Sequence, residues 1–278
     1  MDVIIVAHVE FGQVRNRKVY AVKDPRGVAD GVTNLLAVTD KYGAKVTLAV
    51  CPEVVQYVPK NDCEIGLHIH PGWQEFHADG LSWYVGDTYL RQYCVQSSDS
   101  TVLRDYSFAE QTEMITAGCR RIQQRFGAFP KVFVAGRWSV NNDTILALKV
   151  LGFTHDGSAM ASHKAPHFDW SKLDRIQMPY HPSAADYQSK GDMPLLVVPI
   201  SQLVKGGNVN PEVARTYGVK WLQTCFTEYR VKRRPLFHIC LHSPAMCDPY
   251  SVKVMDELLG FIAKHKNIQW KYASEVTA

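Results

Sequence analysis

Short apolar runs alternate with amphipathic, helix-like stretches along most of this sequence. The runs predicted as strands are residues 2–7, 45–50, 64–69, 131–135, 152–157, 195–200, 237–242 and 268–272. The stretches predicted as helices are residues 24–42, 107–126, 143–151, 219–232 and 251–264. Strands that alternate with helices form parallel sheets, because a parallel connection needs a crossover that is usually helical. We therefore expect an α/β domain whose seven or eight strands form a barrel.

Two long segments interrupt this alternation. Residues 71–106 are rich in aromatic side chains, and residues 158–194 contain four prolines. A loop of this length beside a site often forms a substrate wall or a lid, although the aromatic rings would equally suit a small hydrophobic cluster under a surface loop. No repeat, linker or low-complexity tract divides the sequence, so we expect a single domain over residues 1–278.

The strand predicted at residues 64–69 carries two histidines on one face. Its apolar residues alternate with His68 and His70, which therefore point to the opposite side. Pro71 and Gly72 follow and end the strand. Two imidazoles in this arrangement can chelate Zn²⁺ or a related divalent ion, and a catalytic zinc site usually has three protein ligands. A third ligand is therefore expected elsewhere.

The first predicted strand offers that ligand. The apolar residues 2–7 lead to His8 and Glu10, which have the same two-residue spacing as the later histidines. The carboxyl ends of neighbouring parallel strands lie at one rim, so the four side chains are expected to meet there. A lone strand histidine is more often a hydrogen-bonded or surface residue, but two such pairs favour a metal site.

Composition excludes some partners and suggests a compartment. A net charge of +4 is small for 278 residues, and no dense basic block interleaved with aromatics indicates nucleic-acid binding. The sequence has no signal-peptide pattern and no apolar run long enough to cross a bilayer, so we expect a cytoplasmic protein without a membrane partner. Seven cysteines without a CxxC pair suit a reducing compartment.

The strand ends, taken in order, resemble the polysaccharide deacetylase (NodB-like, carbohydrate esterase family 4) superfamily. The matching stretches are HVEF at 8–11, EIGLHIHP at 64–71, AGRW at 135–138 and CLHSP at 240–244. They are most similar to a branch that has HVE and GLHxHP in place of paired aspartates and HxxxH, and residues 136–158 are similar to it almost throughout. The resemblance covers nearly the whole chain and implies an irregular, distorted seven-stranded β/α barrel.

The resemblance also implies roles for individual residues. The residues expected to hold one divalent metal are Glu10, His68 and His70. His8 stands nearest to the family's general base and could serve as base or as a fourth ligand, while His242 corresponds to the general acid. Arg137 corresponds to the arginine that orients the base. Because His8 replaces an acidic base, Arg137 is left to pair with Glu10 or with a carboxylate or phosphate of the substrate.

Further residues follow from weaker matches. The expected substrate contacts are Trp73, Trp138 and Leu241, with Leu241 taken from a late-strand LxH motif. Asp169, beside Trp170, is a weak match to the motif whose acidic residue tunes His242. Asp156 and Glu10 are alternatives to His8 as the base.

The sequence therefore predicts a metal-dependent hydrolase that removes an N-acetyl group from a small-molecule or oligosaccharide amino-sugar substrate. Zinc is the expected metal, with cobalt, manganese, nickel and iron as alternatives. Two other functions remain open: hydrolysis of another C–N bond, as in a formamide or cyclic ureide, and a catalytically silent sugar- or metal-binding module. The sequence is compatible with an oligomer.

Overall fold

The computed structural model describes residues 1–16, 18–78, 80–204 and 206–278. The strands of its main sheet are β1 (Asp2–Val9), β2 (Val46–Val50), β3 (Glu64–Ile69), β4 (Val132–Ala135), β5 (His155–Asp156), β6 (Leu196–Val197), β7 (Leu236–His242) and β8 (Gln269–Lys271). The helices are α1 (Arg26–Asp40), α2 (Thr88–Tyr93), α3 (Phe108–Phe126), α4 (Asn142–Val150), α5 (Ala214–Tyr217), α6 (Val219–Val231) and α7 (Pro249–Ala263). The predicted alternation of strands and helices is confirmed.

The eight strands form one parallel, curled sheet. Seven of them lie in the order β6-β5-β4-β3-β2-β1-β7, and β8 pairs with the first residues of β1. The two edges are joined after β6, where the backbone N–H of Ser201 donates to the carbonyl of His238 on β7 at 3.2 Å. The backbone N–H of His238 in turn donates to Ser201 Oγ at 2.9 Å. The result is a distorted β/α barrel, as the resemblance implied.

Alternation along the strands divides the core into an inner and an outer part. On β1, Val3 and Ile5 face outward into the large cluster formed with the helices. Ile4 and Val6 face inward, where apolar side chains fill the part of the barrel away from the site. His8 continues the inward face, so its imidazole reaches the interior at the carboxyl end of β1.

The helix boundaries follow local sequence signals. Helix α3 begins with a capping box, in which Ser107 accepts from the backbone N–H of Glu110 and the Glu110 side chain accepts from Ser107. It ends at Gly127, whose φ of 80° is the left-handed conformation that glycine adopts most easily. No helix among the described residues is both long and apolar enough to cross a membrane.

The segment at residues 71–106 is not the continuous loop that the sequence suggested. It contains a hairpin with strands Gln74–Ala78 and Leu81–Val85, then helix α2 and a short 3-10 turn. The first hairpin strand is largely exposed and the second is mostly half-buried, so no alternation of buried apolar residues marked them. The later segment, 158–194, is mostly irregular as expected and contains one short hairpin, Lys164–Ala165 with Phe168–Asp169.

Candidate active site

The two pairs of polar residues predicted from the sequence meet inside the carboxyl end of the barrel. Strand β2 lies between β1 and β3 and places Ala49 level with His8. Because the alanine side chain is small, the rings of His8 and His68 approach across it to a centroid distance of 4.4 Å. The rings of His68 and His70 are perpendicular, with centroids 4.8 Å apart.

Glu10, His68 and His70 form a group that could hold a metal ion. One ligand atom from each lies within 4.8 Å of the other two. Glu10 Oε2 is 3.1 Å from His70 Nε2 and 3.7 Å from His68 Nε2. Within the described parts of the chain, no other set of three histidine, cysteine or acidic side chains has this geometry.

The hydrogen bonding of His68 fits a metal ligand. Its Nδ1 lies 2.9 Å from the carbonyl oxygen of Val134, which can only accept, so Nδ1 carries the proton. Its Nε2 is buried and has no hydrogen-bond partner. An unpartnered buried lone pair is costly, and metal-bound histidines usually donate their other N–H to a carbonyl or carboxylate. The residues present therefore fit a divalent cation.

The protonation states of the group also suit metal binding. Burial raises the pKa of Glu10, but the neighbouring His68 and His70 outweigh it and hold that pKa well below its usual range. Burial lowers the pKa of His68, against the opposing effect of Glu10. A carboxylate beside a neutral imidazole is the form in which these side chains coordinate metals.

A glycine allows His70 to take its position. Gly136 opens the 3-10 turn Gly136–Trp138 after β4, and its Cα packs against the His70 ring. A Cβ at this residue would lie 2.5 Å from His70 Nδ1 and 2.4 Å from the carbonyl oxygen of Ile69. Both distances are far below van der Waals contact, so the site requires glycine here.

His242, the predicted acid, is paired with a carboxylate. Its Nδ1 lies 2.9 Å from Glu212 Oε1, and its backbone N–H donates to the same oxygen at 3.2 Å. Burial lowers the pKa of His242, but the hydrogen bond and the charge of Glu212 raise it overall to about 9. His242 is therefore protonated near neutral pH, and its ring lies 5.0 Å from that of His8.

Glu212 was missed by the sequence analysis, and the residue proposed for its role was wrong. Asp169 forms an ion pair with Lys164 at 2.7 Å and accepts hydrogen bonds from Ser171. Glu212 lies in an irregular stretch before helix α5, where no strand or family motif marks it. Its only signal was an acidic residue ahead of a predicted helix.

The expectation that Leu241 forms a pocket wall is also corrected. Leu241 is fully buried in the outer cluster with the helices. It is adjacent to His242, and successive residues of a strand point to opposite faces. Cys240, two residues before His242, faces inward instead, and its Sγ lies 3.3 Å from His8 Nε2.

The two predicted tryptophans lie at different distances from the histidines. The ring centroid of Trp138 is 6.4 Å from that of His8, and its indole N–H is buried and has no partner in the part of the chain described. Trp73 stacks on Tyr84 at 4.6 Å. Tyr84 lines the cleft at the site and Trp73 does not, so Trp73 contacts the cleft wall through Tyr84.

A cleft of about 230 Å³ opens at the metal-ligand group. The residues lining it include Glu10, Lys23, Glu53, His70, Tyr84, Asp87 and Arg137. This volume is below the usual range of ligand pockets and suits a small ligand or the end unit of a longer one. Asp156, the alternative base, does not line this cleft and hydrogen-bonds to Ser158.

Arg137 enters the cleft from the same turn as Gly136. Its Nη1 donates to His167 Nε2 at 2.7 Å. The ion pair with Glu10 that the sequence left open is not formed, because among the residues described Arg137 has no carboxylate within ion-pair distance. Burial lowers the pKa of Arg137 from its ordinary value, yet an arginine remains charged at neutral pH.

Comparison with known proteins gives structural likenesses only. No protein-family model matches the sequence. No curated protein matches it either. Among solved structures, a candidate polysaccharide deacetylase from Mycobacterium smegmatis is 16% identical, with a TM-score of 0.63 over 99% of this chain and 87% of that one. A candidate polysaccharide deacetylase from Pseudomonas aeruginosa PAO1 is 15% identical, with a TM-score of 0.59 over 98% and 87%.

A Puue allantoinase is 13% identical, with a TM-score of 0.60 over 98% of this chain and 87% of that one. The three likenesses extend over nearly the full length of this chain. The chain therefore has the fold of the NodB-like polysaccharide deacetylase superfamily.

Proposed function

We propose that this protein is a metal-dependent hydrolase that removes an N-acetyl group from an amino-sugar substrate. The observation that carries the proposal is the buried, unpartnered Nε2 of His68, which lies beside Glu10 and His70 at the mouth of a cleft. The polysaccharide deacetylases of similar fold support the choice of reaction.

The three ligand residues define what a bound cation would contribute. A divalent cation held by Glu10, His68 and His70 supplies water activation and polarisation of the acyl carbonyl. Two imidazoles and one carboxylate suit zinc, and cobalt, manganese, nickel and iron accept the same donors.

His8 is the proposed base. Burial lowers its pKa well below the usual value, and the neighbouring His68 and His242 lower it further, so the ring is neutral and can accept a proton. The contact between His8 Nε2 and Cys240 Sγ positions the ring. In the reaction His8 takes the proton that water loses as its oxygen attacks the acyl carbon.

His242 is the proposed acid. The amine must leave as a neutral group, so its nitrogen needs a proton when the C–N bond breaks. His242 is protonated because Glu212 accepts a hydrogen bond from its Nδ1, and Nε2 can then donate to the leaving nitrogen. The products are acetate and a free amine, and the proton taken by His8 returns to solvent.

A second candidate reaction uses the same residues. The Puue allantoinase of similar fold points to hydrolysis of a cyclic ureide, in which a C–N bond is also cleaved. Acetate release from an acetylated amino sugar supports the first reaction, whereas turnover of cyclic ureides alone would support the second.

The test is to measure bound metal by mass spectrometry in untagged protein and then acetate release from N-acetylated amino sugars. We expect about one equivalent of a divalent ion and its loss in both Glu10→Ala and His70→Ala. His77→Ala is the matched control, because His77 is exposed on the hairpin after β3, and its contacts within the described residues are a hydrogen bond with Ser82 and an ion-pair distance to Glu75. This variant should keep the metal.

Two results would contradict the proposal. The first is a parent protein that binds no divalent ion even after zinc or cobalt is added. The second is metal binding that survives both Glu10→Ala and His70→Ala. Metal without any hydrolysis would instead indicate a binding module.

A further inference from the structure

The guanidinium of Arg137 is held in place by neutral groups. Nη1 donates to His167 Nε2 at 2.7 Å, and the guanidinium carbon lies 5.7 Å from the centre of the Phe76 ring. Burial and the charges of Arg137 and Arg104 lower the pKa of His167, which therefore stays neutral. Neither contact neutralises the positive charge of Arg137.

Two other cations near the site are neutralised. Lys23, which also lines the cleft, forms an ion pair with Glu53 at 2.7 Å. Arg215, beyond His242, is paired with Asp248 at 2.8 Å. Arg137 differs from both because it lines the cleft and, within the described ranges, faces no carboxylate at ion-pair distance.

The backbone fixes the direction of this side chain. Arg137 has φ 55° and ψ 20°, and Trp138 has φ 54°, so two consecutive non-glycine residues are left-handed. This conformation is strained for a residue with a side chain, and such strain is concentrated at functional sites. The turn thus directs an uncompensated, half-buried cation into the cleft next to His70.

We propose that Arg137 binds an anionic group of the substrate, so that the substrate is an N-acetylated amino sugar carrying a carboxylate or a phosphate. The planar fork of an arginine matches the two oxygens of either group, and a half-buried cation gains more from such a partner than one in water. This inference rests on the proposed function for the acetylated amino sugar, whereas the anionic group is inferred from Arg137 independently of that function.

The test compares three probes of increasing charge by calorimetry. N-acetylglucosamine is neutral, N-acetylmuramate adds a carboxylate, and N-acetylglucosamine 6-phosphate adds a phosphate. We expect at least one anionic probe to bind about tenfold tighter than the neutral sugar, and this preference to weaken as salt is added. The anionic probe with the larger gain in affinity over N-acetylglucosamine indicates whether the natural substrate carries a carboxylate or a phosphate.

Variants assign that preference to Arg137. Arg137→Gln should abolish the preference, and Arg137→Lys, which keeps the charge without the fork, should retain part of it. Lys131→Gln is the control: it removes one exposed positive charge just before β4, at the other end of the strand that leads to Arg137. It should bind all three probes like the parent. Bound metal and circular dichroism verify that Arg137→Gln keeps the site and the fold.

Equal affinity for the three probes, no binding of either anionic probe, or a preference that persists in Arg137→Gln would overturn the inference. Its failure is distinguishable from failure of the proposed function. Acetate release from the neutral sugar without any anionic preference would leave the hydrolase intact and remove the anion site. Arg137-dependent binding of an anion without acetate release would support the anion site and remove the proposed hydrolase function.

Discussion

His242 and Glu212 show how one contact sets the chemistry of a residue. Burial alone would make the His242 imidazole neutral, since a charged ring loses hydration inside the protein. The Glu212 carboxylate reverses this outcome and raises the pKa of His242 to about 9. A general acid must hold a proton before the reaction, so the proposed reaction requires Glu212 even though this residue need not touch the substrate.

Replacing Glu212 by Gln should therefore change the pH dependence of the reaction. In the parent, His242 stays protonated until the pH rises through about 9, and activity falls above that value. In Glu212→Gln, burial acts without the carboxylate, so the pKa of His242 falls and the alkaline decline should move to lower pH by about one unit or more. The measurement is kcat against pH, together with bound metal, which should not change.

Asp169→Asn is the matched control for this change. It removes a carboxylate that the sequence favoured for the same role, but one that contacts Lys164 and Ser171 instead of His242. Its pH profile should match that of the parent. A shift of the alkaline limb in Asp169→Asn, or none in Glu212→Gln, would contradict the assignment.

At the level of elements, the turn after β4 organises the site. It supplies Gly136 beneath the His70 ring and Arg137 in the cleft, and Trp138 beside His8. These three roles fall on consecutive residues, so a small displacement of the turn would affect metal binding and substrate binding together.

Gly136→Ala should weaken metal binding. The added Cβ would lie 2.5 Å from His70 Nδ1, and the ring would have to move away from Glu10 and His68. Because a misplaced ligand or supporting group typically costs 10–100-fold in metal affinity, we expect a loss of about that size in a chelator competition assay.

Gly127→Ala provides the comparison for Gly136→Ala. Gly127 has φ 80° and no atom within 4 Å of an added Cβ, so this change costs backbone strain of about 1 kcal/mol without touching the site. Its metal affinity should equal that of the parent. Equal metal affinities for Gly136→Ala and Gly127→Ala would show that the close approach of Gly136 to His70 does not determine metal binding.

The elements themselves were only partly predictable. Long, periodic helices such as α3 were predicted closely, because their caps and apolar spacing are local. The run at 195–200 predicted six strand residues, whereas β6 contains only Leu196–Val197. A buried apolar loop has the same sequence pattern as a buried strand. The strands of the hairpin after β3, which are more exposed, lack that pattern.

Over the whole molecule, the end of the barrel opposite the site is closed by the chain after β8. Thr47 Oγ1 donates to Glu64 Oε2 at 2.6 Å and accepts from the backbone N–H of Ala273 at 2.9 Å. His155 Nε2 donates to the carbonyl of Val276 at 3.0 Å. These contacts cover the inner apolar cluster, which includes Ala273 and Val276.

Thr47→Val should lower global stability without affecting the site. Valine has nearly the same volume as threonine, but it leaves the buried N–H of Ala273 without an acceptor, at a cost of about 1–3 kcal/mol. Denaturant unfolding should show this loss, whereas bound metal and kcat at low temperature should match those of the parent.

Thr227→Val is the corresponding control. Thr227 is exposed on α6, and among the described residues its hydroxyl donates to the carbonyl of Gln223 alone, so the unfolding free energy of this variant should change by no more than about 0.5 kcal/mol. Similar losses of unfolding free energy in Thr47→Val and Thr227→Val would show that the hydrogen bond from Ala273 to Thr47 does not contribute to stability.

The sequence by itself determined the parallel alternation of strands and helices and the inward direction of His8, Glu10, His68 and His70. These features depend on the two-residue period of a strand and on apolar runs, both of which are local. Only the tertiary structure decided the partners of the remaining residues: Glu212 for His242 and His167 for Arg137, each 30 residues away in sequence. Both partners lie in irregular segments, where no periodicity restricts which side chain reaches the site.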